Sequence, residues 1–437
     1  MAVLVIASAV VLTYPGKTAE SGKMRVVASF YPLYYFSSEI GKDRVDASML
    51  IPDNAEPHAW DPTPSDLMKV IGAKVVVYNG QSFEPWMQNF LAQVDQSKMQ
   101  VVDTSVGVDF LLSDTVIWPY EQAVRLLSAG PNLTVMTSLT KETATMVEAS
   151  PSTLNIQIDE SGLNHSGYLR LNLTAPDDFR FFVTDPVQFE ILYQNGTAIT
   201  PELVIGHEDR YPAFDNAKFI GLEDQPEGVY YIHMTSATNR TKMVIVQGSG
   251  EVGSAGGEPH EHGLNDPHFW IDPVSAKVQV DNILSAFKIA DPGNATYYQA
   301  NANALKARLD SMDQNFTVGL QNRTKNAIIT THEGFNYLAQ RYHFSAYGAI
   351  GISGDQQPSA QDLANLAQKV EELGLHYVYS EPIFSDSVIN TIASETGATV
   401  LILDGAHGRT GTHAGMDYFQ IMEANLQSLA TGLEVIS

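Results

Sequence analysis

Cysteine is absent from all 437 residues, which excludes disulfides, thiolate metal sites and a lipid-modified cysteine anchor. Positive charge is scarce too. Lys and Arg number 25 against 50 Asp and Glu, a net charge of −25. Such a surface repels nucleic acid and anionic membrane, so no nucleic-acid partner is expected; it suits cations and a salty exterior. Long apolar runs are missing except at the start, where Met1 to Leu12 is followed by polar Lys17 to Lys23. Residues 1–23 resemble the apolar part of an export signal without its basic start. They are short for a spanning helix, so an uncleaved anchor is the second reading.

What is present points outward. Asn-X-Ser/Thr acceptor triplets begin at Asn132, Asn164, Asn172, Asn195, Asn239, Asn294, Asn315 and Asn322. With the export-like start they imply an extracytoplasmic, glycosylatable protein, secreted, tethered at the cell surface or periplasmic. Hydrophobic residues make up 44% of the chain, enough for a sizeable core, and its length implies two or three domains.

Residues 24–112 alternate short apolar strands with helical patterns, which predicts a parallel α/β layer. Strands are expected at Met24 to Ala28, Val45 to Ile51, Lys74 to Tyr78 and Val101 to Asp103. Helices are expected at Phe30 to Ile40, Asp66 to Ile71 with Ser65 as cap, and Glu84 to Val94. Over 113–255 a helix at Trp118 to Leu127 gives way to period-two alternation, as in Leu169 to Thr174 and Val187 to Tyr193. This reads as an inserted all-β, sandwich-like domain with a Gly/Ser linker at Gly248 to Gly257. Its His165, His207 and His233 share no spacing and read as structural or surface residues. Residues 256–293 return to the first lobe. Residues 294–322 form one long helix with Leu305, Leu309, Met312, Phe316 and Leu320 as its apolar stripe. Residues 323–437 resume the α/β alternation.

One stretch stands out: Asn265-Asp266-Pro267-His268-Phe269-Trp270-Ile271-Asp272-Pro273. Two prolines stiffen the backbone around His268 and present its imidazole from a fixed corner. His332 and Asp404 fall at carboxyl ends of expected parallel strands, and His58 lies in the loop after one; open α/β sheets bind ligands at those ends. If the lobes face each other, three imidazoles and one carboxylate converge on a four-coordinate site that favours Zn²⁺. Spacing alone does not establish that convergence. Weaker candidates surround it. His260 and His262 form a small His-bearing loop that can catch metal. Glu381 suits support of a ligand, Glu333 adjoins His332, and His407 and His413 lie in the Gly-rich loop after Asp404. His343 and His376 read as structural.

The two α/β parts resemble the metal-binding family of substrate-binding proteins that serve ABC importers for zinc and manganese. The resemblance rests on Ala28-Ser-Phe-Tyr-Pro-Leu33, Glu56-Pro-His58-Ala-Trp-Asp-Pro-Thr-Pro-Ser-Asp66, Tyr78-Asn-Gly80 and Glu84-Pro-Trp86. It continues through Asp266 to Pro273, Thr331-His332-Glu-Gly-Phe-Asn-Tyr337, Gly351 to Pro358, Ser380 to Ser385, Glu395-Thr-Gly397 and Leu403-Asp404. It covers roughly two-thirds of the chain in the family's order. It implies two lobes joined by one rigid helix, metal held by His58, His268, His332 and Asp404, and delivery to a permease with its ATPase. A monomer is expected. His332 stands where manganese-type members carry Glu, so Zn²⁺ is favoured over Mn²⁺. The family's long His-rich loop is reduced to His260 and His262 beside the β insert, a departure from the pattern. Two other classes compete. A zinc hydrolase would need a general base paired with the ligands, and none is evident; a surface adhesion protein would use the insert, with a structural metal site.

Overall fold

Both ends of the chain fold into four-stranded parallel sheets flanked by helices. The structure is a computed structural model that describes residues 22–81, 83–111, 114–130, 132–161, 164–174, 178–201, 203–205, 213–222, 225–247, 265–351, 358 and 360–436. The first lobe contains β1 (Met24–Ala28), α1 (Tyr31–Gly41), β2 (Val45–Met49), α2 (Pro64–Val70), β3 (Val75–Tyr78), α3 (Met87–Leu91) and β4 (Gln100–Asp103). Its strand order is β2-β1-β3-β4, all parallel. All four residues of β3, Val-Val-Val-Tyr, are buried, as expected of a strand covered on both faces.

The insert supplies α4 (Asp114–Ala129), β5 (Asn132–Met136), β6 (Thr145–Glu148), β7 (Ser152–Gln157), β8 (Glu160–Ser161), β9 (Asn164–Leu173), β10 (Asp178–Val183), β11 (Val187–Leu192), β12 (Leu203–Ile205), β13 (Asn216–Gly221), β14 (Gly228–Ser236) and β15 (Arg240–Gln247). A six-stranded sheet, β12-β13-β10-β15-β7-β5, packs on a five-stranded one, β11-β14-β9-β6 with β8 paired to β9, as a sandwich. It is not all-β. Helix α4 lies on the outer face of the six-stranded sheet, where Ala123 meets Phe182, Phe219, Val244 and Val246. Strand β10 is therefore covered on both faces, with Phe179 and Phe181 turned to the sandwich core, Phe182 to α4 and Arg180 buried over the Phe219 ring. The period-two alternation of Asp178 to Phe181 is cut short at Phe182, which leaves too brief a pattern to read as a strand.

The chain returns through α5 (Pro273–Ala290) and the long α6 (Ala295–Gly319) into β16 (Ala327–His332), α7 (Asn336–Tyr342), β17 (Ser345–Ile350), α8 (Ala360–Glu372), β18 (Tyr377–Ser380), α9 (Ser387–Thr396), β19 (Thr399–Ile402) and α10 (Tyr418–Gly432). The second sheet has order β17-β16-β18-β19, the same winding as the first. The 25 residues of α6 span about 37 Å. Leu305, Leu309, Met312 and Phe316 are buried along it and belong to one apolar cluster that runs from Val26 of the first lobe to Leu433 of the second. A core continuous across both lobes resists a wide hinge swing, because opening it would expose these side chains at about 1.5–3 kcal/mol each.

Local differences from the sequence reading have local causes. Helix α2 is capped by Thr63, not Ser65: Pro64 takes the first helical position and Asp66 accepts from the Thr63 backbone N–H and hydroxyl. Helix α3 is confined to Met87–Leu91, shorter than expected. Helix α10 is not among the expected helices, although Asp417 and Gln420 form a capping box at its start. The export-like residues 1–21, His207, the Gly/Ser linker, His260 and His262 lie outside the described residues.

Candidate metal centre

His332 is the last residue of β16, beside the point where the strand order reverses between β16 and β18. Its backbone N–H and its ring Nδ1 both meet one oxygen, Glu381 Oε1, at 2.9 and 2.7 Å. His268 is held the same way. Its backbone N–H and Nδ1 both lie 2.8 Å from Asp266 Oδ1. An oxygen that already accepts a backbone N–H is placed to accept a second, so each ring carries its proton on Nδ1 and leaves the Nε2 lone pair free.

Those lone pairs converge. His268 Nε2 lies 3.1 Å from His332 Nε2 and 3.2 Å from His58 Nε2. Two neutral imidazole lone pairs at that distance repel unless a proton or cation lies between them. Tetrahedral Zn²⁺ with Zn–N of 2.0–2.1 Å would set its nitrogens about 3.3–3.4 Å apart, close to what is found. His58 is half-buried and arrives on the loop after β2, where the Glu56 carboxylate accepts from the His58 and Ala59 backbone N–H groups at 3.0 and 2.7 Å. His407 completes the cluster, with ring centroids 5.2 Å from His332, 5.6 Å from His268 and 6.3 Å from His58. Ligand atoms of His58, His268 and His407 fall within 4.8 Å of one another.

Aromatic walls close the site. Phe83 and Trp270 are fully buried and contact His268, while Phe384 lies over His332 with centroids 4.7 Å apart. Burial holds His268 and His407 well below the usual imidazole range, and neighbouring imidazoles push the same way. The same burial pushes the Asp266 carboxyl up to about 7 and raises Glu381. A cluster that disfavours added protons this strongly keeps its nitrogens available for a metal ion.

The corner around His268 also ties the lobes together. Asn79 Nδ2 donates to Pro267 O at 2.9 Å on the first-lobe side. Trp270 Nε1 donates to Gly405 O at 2.7 Å, Tyr418 donates to Trp270 O at 2.5 Å, and Arg341 pairs with Asp272 on the second-lobe side. Asp272 caps α5 by accepting from Ser275 N at 3.0 Å, which fixes where the corner stops.

The structure thus brings His58, His268, His332 and His407 together. Asp404 is turned away, its Oδ2 lying 2.8 Å from His413 Nδ1. Glu381 Oε1 lies 2.7 Å from His332 Nδ1, while Glu333 accepts from Asn336 Nδ2 at 3.0 Å. Sequence reasoning missed the part played by Asp266. The signal was present: an Asp two residues before His, where its side chain reaches a backbone N–H two positions on. His376 is paired with Glu434, and His343 ends α7 in a left-handed conformation. His233 stacks on Tyr168 within the insert.

The fold defines a two-lobed binding protein with a histidine cluster in its cleft. The family model described as the periplasmic component A of zinc-uptake complexes, ZnuA, matches residues 26–124 and 220–432, and the chain belongs to that family. The unmatched stretch between them falls in the insert. The high-affinity zinc uptake system protein ZnuA of Bacillus subtilis (strain 168) is 24% identical over 421 residues, covering 96% of this chain and 90% of that protein. The zinc-binding protein AdcA of Streptococcus pyogenes is 23% identical over 426 residues, and the match spans 97% of this chain but 59% of that protein. The crystal structure of the Zn(II)-bound ZnuA-like domain of Streptococcus pneumoniae AdcA shares the fold, with a TM-score of 0.54 at 20% identity over 94% of this chain and all of that one.

Proposed function

We propose that this protein captures Zn²⁺ outside the cytoplasm on His58, His268 and His332 and hands it to a membrane ABC permease driven by its ATPase. The observation that carries the reading is the convergence of three Nε2 atoms, with carboxylates on the Nδ1 side of His268 and His332 fixing which nitrogen faces inward. Nitrogen donors favour Zn²⁺ over Mn²⁺, which prefers carboxylate and water oxygen. Relatives named for zinc uptake and zinc binding support the same assignment. All donors come from one chain, so a monomer suffices.

Donors from two lobes make occupancy stabilise one lobe arrangement over another, and only that difference can report loading to the permease. The shared core along α6 keeps the change small. Binding is favoured over hydrolysis because the nearby carboxylates have other tasks: Asp266 and Glu381 accept from imidazoles, and Glu333 accepts from Asn336. The test is metal analysis of protein purified without added metal, paired with His268→Ala. The expected result is one zinc per chain in the native protein and loss of it in the variant; unchanged stoichiometry and affinity would overturn the assignment.

A further inference from the structure

We propose that His407, and not Asp404, supplies the fourth donor, so that the cation is held by four imidazoles; this rests on the zinc-capture reading above. His407 is 3% exposed, and both of its ring nitrogens are buried without a hydrogen-bond partner. A core histidine normally satisfies at least one nitrogen, because removing both from water without a partner is costly. Its ring instead faces the other three imidazoles and stacks on Phe83 at an interplanar angle of 21°.

The turn that delivers it is built for that purpose. Ala406 adopts φ 54°, a left-handed conformation that costs a non-glycine residue energy. A Cβ on Gly405 would come within 2.5 Å of the His407 ring, and one on Gly408 within 2.1 Å of the Asp53 carbonyl. Arg409 then pairs with Asp53 at 2.8 Å, anchoring the turn to the loop that leads to His58.

Asp404 is occupied elsewhere. Its Oδ1 accepts from Ala406 N at 2.8 Å, its Oδ2 meets His413, its N–H donates to Asn425 Oδ1 and its carbonyl accepts from Asn425 Nδ2. Every polar atom is engaged within the second lobe. Asp404 is thus a positioning residue that holds the turn carrying His407. An all-nitrogen shell sharpens the preference for Zn²⁺ over Mn²⁺, whereas a carboxylate in the fourth position would weaken it.

The test combines zinc-edge X-ray absorption with competition titrations of Zn²⁺ and Mn²⁺ on the full chain. Native protein should show four imidazoles at about 2.0–2.1 Å. His407→Ala should show three and lose at least ~10-fold in zinc affinity, the lower end of what removing a supporting partner already costs. Asp404→Asn should keep four, since its Oδ1 can still accept from Ala406. His407→Asp should narrow the zinc-over-manganese preference. Native protein with three imidazoles and a carboxylate that vanishes in Asp404→Asn would overturn the inference and leave zinc capture intact. Native protein that takes up no zinc would defeat the capture reading itself. Should His407→Ala fail to fold by circular dichroism, the native imidazole count alone decides.

Discussion

Each lobe contributes one imidazole braced at Nδ1 by a buried carboxylate and one delivered on a loop or turn. In the first lobe His268 is fixed by Asp266, while His58 rides a half-buried loop, with Glu56 accepting from its backbone N–H and its ring edge-on to Phe83. In the second, His332 is fixed by Glu381, while His407 rides a strained turn. The braced pair is fully buried, and its two Nε2 atoms are 3.1 Å apart across the lobe boundary. The comparison teaches a division of labour: the braced rings set the position and tautomer of the site, and the arms close over it.

The largest break in that symmetry comes from removing a braced ring. His268→Ala and His332→Ala should each lower zinc affinity by more than ~100-fold in competition titrations, since loss of a mere supporting partner costs 10–100-fold. Next come the braces. Asp266→Asn and Glu381→Gln should each cost ~10–100-fold, and by similar amounts; a variant at one site that binds zinc as tightly as the native protein would show that the lobes are not equivalent. His58→Ala should cost less than either braced ring, and a loss as large as that of His268→Ala would erase the distinction drawn here.

Acid should act on the braced and unbraced rings together. The folded-state pKa of His268 and His407 lies below the unfolded value of about 6.5, so unfolding takes up protons as pH falls below that value. Their contribution to metal-free stability is full above pH ~6.5 and is lost as the solution becomes more acidic. Asp266 runs the other way, because burial raises it to about 7: its contribution is present at low pH and lost as pH rises through 7. In the folded protein the His268 and His407 rings are already neutral near pH 7, so it is ionisation of Asp266, which favours zinc, that makes affinity climb between pH ~6 and ~8. Zinc-induced shifts in melting temperature measured across that range should grow with pH.

The smallest effect on metal is expected from the insert, whose apolar clusters are separate from the core shared by the two lobes. Phe182→Ala should destabilise the insert by about 3–5 kcal/mol, visible in denaturant unfolding, while zinc affinity stays unchanged.

Much of the site was legible because its histidines sit in stiff local sequence. His268 lies between two Asp-Pro corners, His332 closes a wholly buried strand, and His58 is set in a Pro-rich loop. The choice between Asp404 and His407 was not legible, because it depends on a turn whose hand is set by tertiary contacts with Asp53, Trp270 and Asn425. The same holds for β10, whose alternation breaks at Phe182, where α4 covers the second face. Helix α10 differs: Tyr418, Ile421, Met422, Leu426 and Leu429 keep helical spacing, so its signal was present in the chain.

Anomalous diffraction at the zinc edge from crystals loaded with one equivalent of zinc tests the account most directly. It predicts a single strong peak between the lobes, about 2.0–2.1 Å from Nε2 of His58, His268 and His332. A peak on surface carboxylates, or a cleft without zinc while the metal is bound elsewhere, would contradict it.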